Sequence, residues 1–395
     1  MLVSTEPALM DRVPEAADQP AGGRRASRIG LLAVWPALVI YTITHVIDLL
    51  AVWRAATDIH RPLIVTLSRY DAFSYVSIAT RGYDPAIPLK PDGTLSTTNL
   101  AFFPLFPGLS ALVDPILPGD GRIAGVVISW LAGLAAAWGL FAVGTHLRDR
   151  RTGIILAVLW GVLPLAWVQA MGYSETLFTA LAAWTLYAVL RRNWLLAGPL
   201  CLLAGLTRPT AAALVAAVGL AALVAVIRRQ DGWRPWVGGA LAPLGFLGYV
   251  AWVGARLGRA DGYFHVQNDS WKMRYDDGSY TLRMLHKLFT GPQPLAFYVI
   301  TALLCLAVVL LLLAIPDVPW PLLVYAAVIV VLALFGDGYF NAKARLILPA
   351  FPLLLPVAFA LGRARWWTVT VILGSLAGFA AIYAVYLTTI WKFSP

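Results

Sequence analysis

The fold is decided by residues 294–335, which read PLAFYVITALLCLAVVLLLLAIPDVPWPLLVYAAVIVVLALF and carry a single charged side chain, Asp317. Pro316 and Pro319 divide this stretch into two apolar blocks. A helix needs roughly 20 consecutive apolar residues to cross a bilayer. The stretch therefore predicts two membrane-spanning helices rather than the core of a soluble domain.

The whole chain of 395 residues shares this character, with 60% hydrophobic and 13% charged side chains. About a quarter of the residues in a soluble domain are charged, so this chain lacks the polar residues to cover a water-soluble surface. The apolar residues also lie in long blocks, which excludes a disordered chain. We predict an all-α polytopic membrane protein with eleven spanning helices, at residues 29–53, 121–144, 152–170, 175–190, 194–206, 209–227, 236–255, 294–315, 320–335, 346–361 and 366–390.

A further apolar block, 100–117, is interrupted by three prolines. Proline breaks a helix, and irregular backbone at membrane depth must be buried in protein. We therefore predict a re-entrant or interfacial segment. Residues 1–28 are polar and are predicted to form a disordered cytoplasmic tail, and residues 29–395 a single transmembrane domain.

The formal charge of +10 comes mostly from short clusters between apolar blocks. Such clusters orient membrane helices, because basic loops stay in the cytoplasm, so nucleic acid is not an expected partner. With the tail in the cytoplasm, two long segments, 54–120 and 256–293, fall on the outer side. The two cysteines, Cys201 and Cys305, lie inside apolar blocks, which argues against a disulfide framework or a metal cluster.

Candidate catalytic carboxylates open two helical segments on this outer side. Asp71 begins a short helix after Tyr70, and Glu175 follows Tyr173 at the start of a span. An acid in the first turn of a helix is favoured by the helix dipole alone. A carboxylate near the membrane can also act as a general base, and a charged group at membrane depth is a functional candidate. We predict Asp71 as a general base and Glu175 as a residue that orients substrate, with the two tyrosines as substrate-binding residues.

Candidate phosphate-binding residues follow in the second half of the chain. Arg208 lies between two apolar blocks, and Lys343 and Arg345 begin another helix after Asp337, which we predict as a further substrate-binding residue. Arginine binds phosphate through paired hydrogen bonds, and a helix N-terminus attracts anions. The alternative is anchoring, in which long basic side chains reach from the helix ends to the membrane surface.

Aromatic residues separated by prolines occupy the stretch Ala101–Pro107. One interpretation is an interfacial aromatic belt. The other is a groove wall for a lipid chain, formed by Phe102, Phe103 and Phe106. No metal site is predicted, because no histidine or acid has the spacing of a metal ligand set. We expect no cofactor, although a need for a divalent metal is left open.

These segments, in this order, resemble the PIG-V family of polyprenol-dependent mannosyltransferases, which are multi-spanning GT-C glycosyltransferases. The resemblance is carried by Tyr70-Asp71-Ala72 with Ile78–Tyr83, by Ala101–Pro107, and by Gly172–Phe178. Two features depart from the family. It usually has tryptophan where this chain has Tyr70, and often has Ala-Arg-Ser-Asn near the position of Arg208. The loop 256–293 lies outside the resemblance.

The resemblance implies a GT-C-type bundle that transfers a mannosyl residue from polyprenyl phosphate mannose to a hydroxyl of a lipid-linked or cell-surface glycan, with inversion. It implies a multi-pass protein with its site on the extracytoplasmic face, and composition favours a bacterial plasma membrane. The expected partners are this donor, the glycan acceptor and membrane lipids. Two alternatives remain open: the same fold with another polyprenyl-linked sugar, and a transporter of lipid or glycan without covalent chemistry.

Overall fold

A computed structural model describes residues 30–118 and 121–394, so the predicted tail lies outside the described residues. Within them the chain is helical, and its only β-structure consists of two isolated bridges, Leu89 with Leu95 and Tyr275 with Gly336. The first helices are α1 Leu31–Asp58, α2 Leu63–Leu67, α3 Asp71–Arg81, α4 Leu105–Val113, α5 Arg122–Leu147, α6 Arg150–Gly161, α7 Trp167–Ala170, α8 Glu175–Leu190, α9 Trp194–Gly205 and α10 Ala211–Ile227. The others are α11 Arg234–Leu241, α12 Leu244–Leu257, α13 Gly262–His265, α14 Ser279–Thr290, α15 Leu295–Ala314, α16 Trp320–Phe335, α17 Lys343–Ile347, α18 Leu355–Arg363 and α19 Trp366–Thr389.

Five helical stretches of the described chain are long and apolar enough to cross a membrane: α1, α5, α11 with α12, α15 and α19. A sixth is obtained if Phe340–Ile347 and Phe351–Arg363, bent by 71°, form one broken span. Several other predicted spans are helices of 10–17 residues, such as α8, α10 and α16. The prediction of helical blocks is confirmed, whereas the number of eleven spans stays a prediction.

Besides the block 236–255, which is divided between α11 and α12, two predicted spans are not single helices. The block 152–170 breaks after Gly161 and resumes as the one-turn helix α7. The block 346–361 contains a short 3-10 helix, Phe351–Leu354, between α17 and α18. Pro164 and Pro352 lie in these breaks, and proline removes a backbone donor and clashes with the preceding turn. The breaks create the short helices and turns that hold the polar residues of the candidate site.

Small residues let several helices approach closely, as expected where packing rather than water drives association. A Cβ placed on Gly144 of α5 would lie 2.8 Å from the Cα of Gly153 in α6. The crossing of α9 and α12 is tighter, because a Cβ on Gly245 would lie 1.9 Å from the carbonyl oxygen of Leu202. Glycine is therefore required at this crossing for steric reasons.

Gly245→Ala is expected to destabilise the protein by at least about 1–3 kcal/mol, since the added methyl must push two helix backbones apart. Gly248→Ala on the same helix is the matched control, because its Cβ would have no atom within 4 Å. Thermal unfolding in detergent measures both variants. Equal stability of Gly245→Ala and the wild-type protein would contradict this description of the crossing.

Helix α8 defines the two ends of the bundle around the candidate site. It begins at Glu175, and Arg191 and Arg192 follow its last residue. With a rise of about 1.5 Å per residue, a helix of 16 residues separates its ends by roughly 24 Å. The direction of the chain thus places the acid and the basic pair at opposite ends of this helix.

Candidate functional site

Four charged side chains from distant parts of the chain form a continuous ionic cluster, Asp71–Arg345–Glu175–Arg208. Arg345 Nη2 lies 2.5 Å from Asp71 Oδ2, and its Nε lies 3.1 Å from Glu175 Oε1. The same Glu175 oxygen lies 2.5 Å from Arg208 Nη1. The sequence predicted these four residues as functional, and the structure brings all of them together.

Burial differs within the ionic cluster. The side chain of Glu175 is 2% exposed, and those of Arg208 and Arg345 are 8% and 9% exposed. Asp71 is 22% exposed and is therefore its most accessible member. Two carboxylates balance two guanidinium groups, so the cluster is neutral overall. Buried charges are expensive unless they are paired, which explains why the four meet.

Helix α3 presents Asp71 as its first residue, where the helix dipole favours a negative charge. Tyr70 precedes it with a φ of 56°, a conformation that L-residues rarely adopt and that is common at functional sites. One turn later, the Tyr75 hydroxyl hydrogen-bonds the Ser174 hydroxyl at 2.7 Å. This bond fixes α3 against the start of α8.

The turn before α8 fixes Glu175. The Ser129 hydroxyl accepts a hydrogen bond from Tyr173 N at 3.0 Å and donates one to the Tyr173 carbonyl at 2.8 Å. Gly172 N donates to the Leu67 carbonyl at 3.0 Å, which connects this turn to the segment before Asp71. Both carboxylates are therefore positioned by the same group of turns.

Arg208 follows α9 in a turn before α10. Leu105 N donates to the Leu206 carbonyl at 2.8 Å, so this turn also contacts the proline-rich segment. The Nε of Arg208 is buried and has no hydrogen-bond partner among the described residues. A buried donor without a partner is rare in folded proteins, and Arg345 Nε is a second such donor in the ionic cluster.

Arg345 lies in α17 with its guanidinium 5.1 Å from the centre of the Tyr173 ring. Its Nη1 donates to the Ser394 hydroxyl at 3.3 Å. Tyr173, predicted as a binding residue, therefore lines the ionic cluster. Ser394 has no counterpart in the sequence predictions, because a single serine after the last span forms no recognisable pattern.

Lys343 points away from the ionic cluster, although it lies only two residues from Arg345. Its ammonium group donates to the Thr281 hydroxyl at 2.9 Å and to the carbonyls of Ala333 and Gly336 at 2.8 and 2.5 Å. An ammonium group has three donor hydrogens, and all three are used. This arrangement gives no support to the predicted phosphate-binding role and indicates that Lys343 joins α14, α16 and α17.

Lys343→Met is expected to lower stability by about 1–3 kcal/mol for each acceptor left unbonded, while the affinity of the folded protein for polyprenyl phosphate stays unchanged. Lys287→Met, at an exposed position of α14, is the control. Thermal unfolding and donor titration measure the two effects separately. A large loss of polyprenyl phosphate affinity without loss of stability would show that Lys343 binds phosphate after all.

Asp337 lies in the same region and binds the loop 256–293 through hydrogen bonds with Arg274. Arg274 N donates to Asp337 Oδ1 at 2.5 Å, and Asp337 N donates to the Arg274 carbonyl at 2.7 Å. Within this loop, His265 and Arg274 both contact Asp269 and keep the pKa of its carboxyl below the usual range. The two hydrogen bonds between Arg274 and Asp337 hold the loop 256–293 next to the segment that leads into α17. These contacts favour a structural role for Asp337 over the predicted binding role.

The other aromatic candidates have different surroundings. The Arg69 guanidinium lies 4.7 Å from the centre of the Tyr70 ring. Phe103 and Phe106 are buried, with Phe103 4.4 Å from the Tyr249 ring and Phe106 4.8 Å from the Tyr75 ring. Of the three phenylalanines only Phe102 is partly exposed. The lipid-groove role stays a prediction, and this packing favours a structural role for Phe103 and Phe106.

In the described part of the chain, no group of three or more His, Cys, Asp or Glu side chains is arranged to hold a metal ion. The expectation of no cofactor stays a prediction.

The fold that carries this site is similar to that of a known protein. No protein-family model and no curated protein matches the chain. Among solved structures, the chain is similar to ArnT from Cupriavidus metallidurans bound to undecaprenyl phosphate, with a TM-score of 0.51 and 15% sequence identity. The similarity covers 88% of this chain and 63% of the ArnT chain, so this chain spans less than two thirds of ArnT. The predicted all-α, GT-C-type fold is confirmed, and the chain is a multi-pass membrane protein with the fold of ArnT.

Proposed function

We propose that the protein is a membrane glycosyltransferase that takes its sugar from a polyprenyl phosphate donor. The observation that carries this proposal is the ionic cluster, in which two arginines and a partly exposed carboxylate meet at one point. The likeness in fold to ArnT, which was solved with undecaprenyl phosphate, supports the lipid class of the donor.

Arg345 and Arg208 are the proposed phosphate-binding groups. In the present arrangement both are neutralised by carboxylates, and Arg208 Nε has no hydrogen-bond partner among the described residues. A phosphate that approaches from the side of Asp71 competes with this carboxylate for Arg345. Arginine suits such an exchange, because its planar fork binds a carboxylate and a phosphate through the same donors. Donor binding then releases Asp71 from its ion pair.

An apolar pocket of about 70 Å³ is the proposed contact surface for the start of the lipid chain. It lies between α15 and the segment 344–354, and Ala344, adjacent to Arg345, is one of its lining residues. Burial of hydrocarbon contributes about 0.8 kcal/mol per CH₂ group. We propose that the first isoprenoid unit of the donor packs against this pocket, with the chain continuing into the membrane.

Asp71 then acts as the general base. It accepts the proton of the acceptor hydroxyl while that oxygen forms a bond to the anomeric carbon of the sugar. The bond between this carbon and the phosphate oxygen breaks, and its electron pair leaves with the polyprenyl phosphate, whose growing charge Arg345 and Arg208 stabilise. A single displacement of this kind inverts the anomeric configuration. Glu175 holds both guanidinium groups in place.

Mannose is the proposed sugar, because the motifs around Asp71 and Glu175 resemble those of mannosyltransferases. The proposed acceptor is a lipid-linked or cell-surface glycan, and the proposed location is the outer face of a bacterial plasma membrane. The basic pair Arg191 and Arg192 at the far end of α8 supports this orientation.

The test is a transfer assay with purified protein in lipid nanodiscs. Polyprenyl phosphates that carry labelled mannose, glucose or arabinose are supplied with a membrane glycolipid extract as acceptor. We expect label to move to the glycolipid fraction from the mannosyl donor. Transfer from another sugar donor would overturn the choice of mannose. Movement of intact donor across vesicle membranes without any transfer would overturn the enzyme and favour a transporter.

A further inference from the structure

The chain after the last helix folds back onto the ionic cluster. Trp391, immediately beyond α19, is 5% exposed, and its ring centre lies 5.5 Å from that of Phe297 in α15. Its indole nitrogen donates to the Ser394 carbonyl at 3.2 Å. The segment 391–394 is therefore anchored by a buried tryptophan and closed into a turn.

Ser394 contacts the segment that carries Arg345 at two points. Asn341 Nδ2 donates to the Ser394 carbonyl at 2.8 Å, and Arg345 Nη1 donates to its hydroxyl at 3.3 Å. The first contact fixes the backbone of Ser394, and the second uses that fixed position to hold the guanidinium.

Each of three guanidinium nitrogens of Arg345 thereby faces a different partner. Nη2 donates a hydrogen bond to Asp71 and Nη1 donates one to Ser394, whereas Nε lies 3.1 Å from Glu175 Oε1 as an ion-pair contact without a hydrogen bond. When a donor phosphate displaces Asp71, the other two contacts are what keeps the fork in a fixed orientation. A neutral hydroxyl suits the third position, because a further carboxylate there would repel the phosphate.

We propose that Ser394 is a positioning residue for Arg345, held in place by Asn341 and Trp391, and that it orients the guanidinium for donor phosphate. This inference rests on the proposed function. It adds the segment 391–394 to the donor site, which the motifs of the sequence do not include.

The test is a steady-state comparison of Ser394→Ala, Ser394→Thr and Lys392→Ala with the wild-type enzyme. Loss of one hydrogen bond of typical strength is expected to raise the donor KM of Ser394→Ala about three- to ten-fold. The kcat and the thermal unfolding temperature are expected to stay near those of the wild type. Ser394→Thr keeps the hydroxyl and is expected to restore the KM. Lys392 is exposed in the same segment, so Lys392→Ala is expected to have no effect.

Asn341→Ala provides a second route if Ser394→Ala is unstable. It removes the anchor of the Ser394 carbonyl, and it is expected to raise the donor KM like Ser394→Ala. The double variant is expected to be no worse than either single variant, because both act through the same contact.

Two different failures are distinguishable. An unchanged donor KM in both Ser394→Ala and Asn341→Ala, with an active wild-type enzyme, would overturn the role of Ser394 and leave the proposed function standing. A threonine variant as impaired as the alanine variant would overturn it as well. A wild-type protein that neither transfers sugar nor binds polyprenyl phosphate would overturn the proposed function itself.

Discussion

Asp71→Asn is expected to reduce sugar transfer about 10²–10⁴-fold, the range of rate that a general base contributes. The amide has nearly the shape of the carboxylate but does not accept the proton of the acceptor hydroxyl. The donor KM is expected to stay the same or fall, because Arg345 no longer has to be drawn away from a carboxylate. Transfer rates at saturating donor measure the first effect, and binding of polyprenyl phosphate measures the second.

Asp92→Asn is the matched control for this variant. Asp92 lies in the same segment between α1 and α5, and its carboxylate accepts hydrogen bonds from the backbone and hydroxyl of Thr94 within its own turn. The Asp92→Asn variant is expected to transfer sugar at the wild-type rate. Near-complete activity of a folded Asp71→Asn protein would remove Asp71 from the reaction.

Arg345→Ala is expected to have the second large effect, because it leaves Asp71 and Glu175 with fewer partners in a buried site. Removing one member of a buried ion pair costs about 3–5 kcal/mol. Donor use is expected to be lost together with stability. Arg345→Lys keeps the charge but lacks the planar fork, and we expect it to recover part of the stability and little of the donor affinity. Chemical unfolding and binding of polyprenyl phosphate measure the two losses.

Arg54→Ala is the control that shows what the loss of an arginine outside the ionic cluster does to stability and donor affinity. Arg54 forms an exposed ion pair with Asp58 on α1, and such pairs contribute about 0–1 kcal/mol. The stability and the donor affinity of the Arg54→Ala variant are expected to remain those of the wild type. Normal donor affinity in Arg345→Ala would exclude this arginine from phosphate binding.

The helices follow from the sequence because lipid imposes a simple requirement. Every backbone polar group in the membrane must be bonded within its own helix, so a long apolar block such as 295–314 has one structure available. The breaks near Pro164 and Pro352 are harder to predict. A proline excludes a regular helix there, but the packing of neighbouring helices decides whether the chain bends or ends.

The site was predictable to the extent that charge burial is expensive. Asp71, Glu175, Arg208 and Arg345 are ionic groups beside apolar blocks, and such groups need opposite charges nearby. Which acid pairs with which arginine depends on tertiary contacts, and the sequence does not reveal it. Lys343 shows why, because a helix directs residues two positions apart to different sides. Its ammonium therefore bonds to the end of α16, while Arg345 reaches the cluster.

The most direct test of the account is a structure of the protein with polyprenyl phosphate bound, determined by electron cryo-microscopy in nanodiscs. We predict the phosphate within hydrogen-bond distance of Arg345 and Arg208, the Asp71–Arg345 ion pair opened, and the lipid chain beside α15. A phosphate bound elsewhere on the protein, with the four charged side chains still paired with one another, would contradict the account.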